Sequence, residues 1–266
     1  MPARYPERIV CLTEETTETL YLLGEERRIV GISGYTVRPP RARREKPRVS
    51  AFLSARTEKI VELKPDLVLG FSDLQADISK DLVKAGLNVV IFNQRSVDEI
   101  LSMIQVLASM VGAADKGQAL VRSLEENLAE IKAKTPKRRP RVYFEEWDEP
   151  MISGIRWVSE LVEIAGGEDV FKDLSVSQAA AGRIITDPNE VLKRNPDVIL
   201  GSWCGKKFRP ERVAARPGWD KVSAVKNGQL YEIKSAEILQ PGPAALTDGV
   251  RRIHTILGGW STRHAS

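Results

Sequence analysis

Short aliphatic runs alternate with amphipathic stretches along most of this chain, which predicts parallel sheet with helices packed on both faces. Arg8 to Leu12 (RIVCL) reads as a buried strand, followed by the polar TEETTE and then by TLYLLG, a helix closed by Gly24. Arg28 to Ile32 is a second strand. The basic, proline-containing stretch from Tyr35 to Arg48 reads as a loop that bends over something. Thr57 to Leu63 is a helix ended by Pro65, Leu67 to Leu69 a strand ended by Gly70, and Asp77 to Ala85 a helix ended by Gly86. Asn88 to Phe92 is again a strand. Val97 to Val111 then carries Ile100, Leu101, Ile104, Leu107 and Val111 on one helical face.

From Asp115 to Lys134 the apolar residues Leu120, Leu124, Leu128 and Ile131 form one narrow stripe, with charges elsewhere and Pro136 ending the run. Such a helix spans ~30 Å and can serve as a strut. Beyond it the alternation restarts at Val142 to Phe144. EKIVELKPDLVLGF, from Glu58, is mirrored by EVLKRNPDVILGSW, from Glu190, so that Pro65 to Gly70 superimposes on Pro196 to Gly201. Gly228 to Ile233 (GQLYEI) then matches the strand of Asn88 to Phe92. VSELVEIAGGEDVF supplies a helix closed by Gly166 and Gly167, and Ala244 to Leu257 a last helix with Leu246, Val250, Ile253 and Leu257 inward. The chain contains one unit twice. The expected domains are an α/β lobe over residues 1–112, a linker helix over 113–136 and a second α/β lobe over 137–266.

Composition narrows the function classes. The 266 residues are 42% hydrophobic, ordinary for a folded protein, and 40 basic against 36 acidic residues leave a net charge of only +4, a weak signal for nucleic acid. No apolar run reaches the ~20 residues of a membrane span. Cys11 and Cys204 have no metal-ligand spacing, and their pairing is open. The two histidines, His254 and His264, lie in the last helix and the tail. No phosphate-binding glycine loop, nucleophile elbow or metal cluster is present, so neither a cofactor nor a metal is expected. The start MPARYPERIVCL lacks the charged and apolar regions of a secretory signal, so as written the chain is expected in the cytoplasm, or in the periplasm if it is a trimmed mature form.

The ordered set RIVCLTEETTETLYLLG, IVGISGYTVRPP, EKIVELKPDLVLG and SELVEIAGGEDVF resembles the cobalamin- and iron-siderophore-binding proteins of ABC importers, most closely the cobalamin-binding branch. That resemblance implies two Rossmann-like α/β lobes joined by one long α-helix, a periplasmic-binding-protein-like fold with the ligand in a cleft between the lobes. It implies a non-catalytic, monomeric solute-binding protein with permease partners and a corrinoid as candidate ligand. Because ligands of open α/β lobes sit at the carboxyl ends of the strands, the expected ligand-binding residues are Tyr35, Phe52, Phe71, Asp73, Glu146, Trp147, Arg183, Trp203 and Glu237. Tyr35, Phe52, Phe71 and Trp147 fall at or beside the branch's aromatic positions. Arg183 stands where that branch has a tryptophan, and Ala236, beside Glu237, where it has an aspartate. With Lys206, Glu145, Glu146 and Asp148, these departures point to a more polar ligand, such as a corrinoid precursor or a nucleoside-like compound. The family's importer-docking carboxylates align with Glu58 and Asn189. Thr13, Thr16 and Thr17 read as helix-start hydroxyls.

The alternative reading is a cytoplasmic enzyme on the same scaffold, using Glu145, Glu146, Asp148 or Glu237 as acid and base, or a sensor read by a protein partner.

Overall fold

The structure, a computed structural model, describes residues 5–263, so that His264 lies outside the described residues. The chain divides into two compact units. One holds the chain up to Gln94 together with Asp98–Leu124; the other holds Arg95–Val97 and the chain from Glu125 onward.

In the first unit β1 (Ile9–Cys11), α1 (Glu14–Leu22), β2 (Ile29–Ser33), α2 (Ala42–Glu45), β3 (Arg48–Ser50), α3 (Thr57–Glu62), β4 (Leu67–Phe71), α4 (Ala76–Lys84) and β5 (Val89–Phe92) follow in order, and α5 (Val97–Met110) closes the lobe. The strands lie in the order β3-β2-β1-β4-β5, every neighbouring pair parallel. Val10, Leu12, Val49, Ile60, Val68 and Leu82 pack one core cluster. The expected loop from Tyr35 to Arg48 instead contains α2 and runs into the edge strand β3. Only Val49 of that strand is buried, and one apolar residue carries no period from which a strand can be read.

α6 (Ala114–Ala133) crosses from one unit to the other, with Leu124, Leu128 and Ile131 buried. In the second unit come β6 (Arg141–Asp148), β7 (Met151–Ser153), α7 (Arg156–Ile164), β8 (Glu168–Asp169), α8 (Lys172–Ser175), α9 (Asn189–Arg194), β9 (Val198–Gly201), α10 (Pro210–Ala214), α11 (Ser223–Lys226), β10 (Leu230–Glu232), α12 (Ser235–Ile238) and α13 (Val250–Arg263). The order is β10-β9-β6-β7, with β8 pairing β6 in parallel. Two expectations change here. β6 runs four residues beyond the expected Val142 to Phe144, and β7 folds back on it antiparallel, so Glu145 to Asp148 lie in a strand rather than in a loop. The last helix is preceded by a π-turn over Ala245–Gly249 and continues to Arg263. The core of this unit is aromatic: Tyr143 meets Phe171 and Trp219 edge-on at 5.2 and 6.2 Å between centroids.

The sequence repeat has a structural cause. Asp66 accepts hydrogen bonds from the backbone N–H groups of Glu7 (2.7 Å) and Arg8 (3.0 Å), and donates its own N–H to the Arg8 carbonyl (2.9 Å). Asp197 does the same in the second unit, accepting from Arg141 N–H (2.9 Å) and donating to the Arg141 carbonyl (2.7 Å). In each lobe the aspartate thus clips the start of the central strand to its neighbour. The repeat glycines are steric. A Cβ on Gly201 would lie 1.9 Å from the Phe208 ring, and one on Gly70 would lie 2.6 Å from Ile91 and 2.7 Å from Gln75.

Candidate functional site

Parallel strands put all their carboxyl ends on one edge of the sheet, and in the first lobe that edge is built by the segments after β1, β2, β3 and β4. Strand order reverses between β1 and β4, which makes the carboxyl side of that pair a topological switch point. Phe71 ends β4 and is buried; Phe52, after β3, is half-buried; Tyr35, after β2, is 62% exposed. Gln75 joins two of these segments, accepting from Phe71 N–H (3.0 Å) and donating to the Phe52 carbonyl (3.0 Å). Asp73 is exposed in a short turn capped by Ser72, whose Oγ accepts from Leu74 N–H at 3.2 Å.

The same edge holds the segment after β1, Thr13 to Glu18, which the sequence also placed at a strand end but in which it singled out only the threonines. Thr13 through Thr19 are all buried, three glutamates included. The hydroxyls do not cap α1: Thr16 and Thr17 donate back to the Thr13 carbonyl (3.2 and 3.1 Å), and Thr13 donates to Glu15 Oε1 at 2.6 Å. Glu14 Oε2 accepts from Val37 N–H at 2.6 Å, in the segment after β2. Glu18 pairs with Arg38 at 2.9 Å. The remaining oxygens, Glu14 Oε1 and Glu15 Oε2, are buried without a hydrogen-bond partner, as are the hydroxyls of Thr36, in the segment after β2, and of Ser50, at the end of β3. Burial, reinforced by the neighbouring carboxylates and opposed by the Val37 hydrogen bond and Arg38, pushes the Glu14 carboxyl up to about 8. Burial likewise pushes Glu15 up to about 7, against the Thr13 hydrogen bond. The signal in the sequence was three carboxylates in a short strand-to-helix junction.

The second lobe treats its acidic cluster differently. Glu145 is fully buried, yet it accepts two hydrogen bonds from Arg216 (2.5 and 2.9 Å), one from Trp203 Nε1 (3.0 Å) and one from the Tyr143 hydroxyl (3.0 Å). Burial works against the Arg216 charge, but Glu145 outweighs it and the guanidinium pKa is raised. Arg183, also buried, donates to both oxygens of Glu146 (2.6 and 3.2 Å) and to the Ser153 carbonyl (2.6 Å). Asp148 is held by Lys206, whose ammonium lies 4.0 Å from the Trp147 ring centre. Trp203 packs in the core against Phe208, so it and Arg183 are committed inside the lobe. Trp147 is half-buried and donates Nε1 to the Glu149 carbonyl (2.9 Å), and Glu237 is half-buried on α12. A cavity of about 450 Å³ opens beside this cluster, lined by Asp148, Met151, Asn189, Trp203, Arg216 and Trp219 among others.

Glu58 is exposed in the first turn of α3, and Asn189 is exposed at the start of α9. Asn189 carries no charge itself but binds one: its N–H and Nδ2 both donate to Asp187 Oδ1 at 2.9 Å. His254 lies half-buried on α13, its Nδ1 3.2 Å from the Ala165 carbonyl. Cys11 and Cys204 are free thiols, and burial pushes the Cys11 pKa up to about 12. Among the described residues no group of three or more His, Cys, Asp and Glu could hold a metal ion, and no helix is long and apolar enough to cross a membrane.

A family model described as periplasmic binding protein matches residues 9–237. The chain belongs to that family. It is 27% identical, over 93% of this chain and 79% of the relative, to the uncharacterized ABC transporter substrate-binding lipoprotein YvrC of Bacillus subtilis. The crystal structure of the periplasmic vitamin B12 binding protein BtuF of Vibrio cholerae matches with a TM-score of 0.74 at 26% identity, covering 96% of this chain and 98% of that one. A possible iron-binding, periplasmic solute-binding protein from Staphylococcus epidermidis matches with a TM-score of 0.80 at 24% identity, over 95% and 99% of the two chains. The chain is accordingly a non-catalytic solute-binding protein of the ABC-transporter class. Of the four carboxylates named for the enzyme alternative, Glu145, Glu146 and Asp148 are held in ion pairs, and Glu237 is half-buried on α12.

Proposed function

We propose that this protein captures a ring-containing polar small molecule for an ABC importer, using the segments at the carboxyl edges of its two sheets. The observation that carries this reading is the set of aromatic side chains on those edges: Tyr35 exposed, Phe52 and Trp147 half-buried, each able to present a ring face. Phe71, Asp73, Glu146 and Glu237 line the same edges, and Arg183 and Trp203 hold the C-terminal one in shape. A corrinoid is the first candidate, by analogy with the vitamin B12 binding relative. Glu58 on one lobe, and Asn189 with the Asp187 carboxylate it holds on the other, dock the permease subunits. The names of the periplasmic and lipoprotein relatives support a working place outside the cytoplasm.

Calorimetric titration of the purified protein with cyanocobalamin and its shorter precursor cobinamide tests the ligand. Binding at micromolar strength or tighter, ~8 kcal/mol, is the expected result for at least one. No binding by either removes the corrinoid and leaves the importer role to be tested separately with Glu58→Ala and Asp187→Ala in a transport assay.

A further inference from the structure

We infer that the ligand of the N-terminal lobe carries a cationic nitrogen, an amine, amidine or guanidine, which is recognised by the buried carboxylates of Glu14 and Glu15. This rests on the capture reading above and deepens it by naming the charge of the substrate. Glu14 is 4% exposed and Glu15 is 1% exposed. Each is anchored by one oxygen to the carboxyl edge of the sheet, Glu14 to the Val37 N–H after β2 and Glu15 to the Thr13 hydroxyl after β1. The second oxygen of each carboxylate is buried and unpartnered, and so is the hydroxyl of Thr36, the residue before Val37.

Unsatisfied buried polar atoms are rare in folded proteins, and one explanation for a cluster of them is a ligand that completes the site. The chemistry missing here is specific. Once ionised, carboxylate oxygens only accept, so the partner that would hold these two ionised is a donor, and the surrounding charge says that it is positive. Glu14 feels Glu18 and Glu15, and the guanidinium acting on it, Arg38, is itself paired with Glu18. The resulting rise of both carboxyls towards and above neutrality, caused first by burial, is the cost of leaving this cluster without a cation. On β6 of the second lobe each of the three carboxylates already has a guanidinium or ammonium, which matches its charge even though Asp148 Oδ2 makes no hydrogen bond. An N–H-bearing cation between Glu14 and Glu15 would do for the first lobe what Arg216 does for Glu145.

The test uses two probe pairs that differ in charge but little in shape: benzamidine against benzamide, and benzylamine against benzyl alcohol. They are titrated into the full chain at pH 8.5, followed by protein-observed NMR. The cations are expected to bind at least about tenfold tighter than their neutral partners, a difference of ~1.4 kcal/mol. In Glu14→Gln/Glu15→Gln that ratio is expected to fall to about one, whereas Glu126→Gln, on the exposed face of α6, keeps it. Equal binding of charged and neutral probes overturns the inference, as does retention of the preference in the double variant or no binding of either cation by about 10 mM. The wild-type comparison needs no variant to fold. Corrinoid binding without cation preference sinks this inference alone and leaves the capture reading standing.

Discussion

Two acidic stretches, TEETTE at the start of α1 and EEWD at the end of β6, occupy corresponding places at the carboxyl ends of the central strands of their lobes, and they are handled in opposite ways. In the second, Glu145, Glu146 and Asp148 meet Arg216, Arg183 and Lys206 in short ion pairs, so each charge is matched, although Asp148 Oδ2 and Arg183 Nε make no hydrogen bond. In the first, Glu14 and Glu15 keep one orphaned oxygen each. A buried carboxylate is tolerated when its charge and lone pairs are matched, and is held largely protonated when they are not. Of the two stretches, the second has each carboxylate matched by a cation, and the first leaves the buried second oxygens of Glu14 and Glu15 without a partner.

The sharpest way to break this contrast is to make the second cluster incomplete too. Arg216→Ala leaves Glu145 buried without its guanidinium and is expected to cost about 3–5 kcal/mol in urea unfolding; a loss below 1 kcal/mol would show that Tyr143 and Trp203 suffice. Relief of the first cluster comes next. Both carboxyls titrate above their ordinary range when folded, so the folded state binds more protons than the unfolded one between about pH 4.5 and pH 8. The stability linked to them is full below about pH 4.5 and is lost as pH rises through about 7 and 8. Glu14→Gln/Glu15→Gln should therefore match the parent near pH 5 and exceed it at pH 8.5 by on the order of 3 kcal/mol, measured by urea melts at both pH values. A parent profile that rises over this range and is unchanged in the variant would contradict the assignment.

A smaller effect tests the scaffold common to both lobes. Asp66→Ala and Asp197→Ala each remove side-chain acceptors from the start of a central strand, and each is expected to lower stability by about 1–2 kcal/mol. Similar losses would support equivalent roles in the two halves. Smallest is Arg156→Ala, which breaks the partly exposed pair with Glu160 (2.9 Å) and should change stability by no more than about 0.5 kcal/mol. That sets the scale against which the buried pairs are judged.

Much of the architecture was legible because it is periodic. Leu67 to Leu69 and Val198 to Leu200 are short aliphatic runs closed by glycine, and a buried parallel strand requires that pattern. β3 was not legible, with Val49 its one buried residue, and neither was the antiparallel return of β7, which depends on a turn after Asp148. At the site, the aromatics Tyr35, Phe52 and Trp147 could be placed on the edges of the sheets from their positions after or near the ends of strands. The partners of charged residues could not, because Arg216 lies 71 positions from Glu145 and Arg183 lies 37 from Glu146.

The sequence alone determined the two-fold repeat, the α/β class and the segments that reach the carboxyl edges, since these follow from local hydrophobic period and from Pro-Asp and Gly at fixed spacing. Only the tertiary structure decided which of two similar acidic stretches is neutralised. Charge pairing depends on distance in space and on the loss of solvent around each group, and neither is written in the order of residues along the chain.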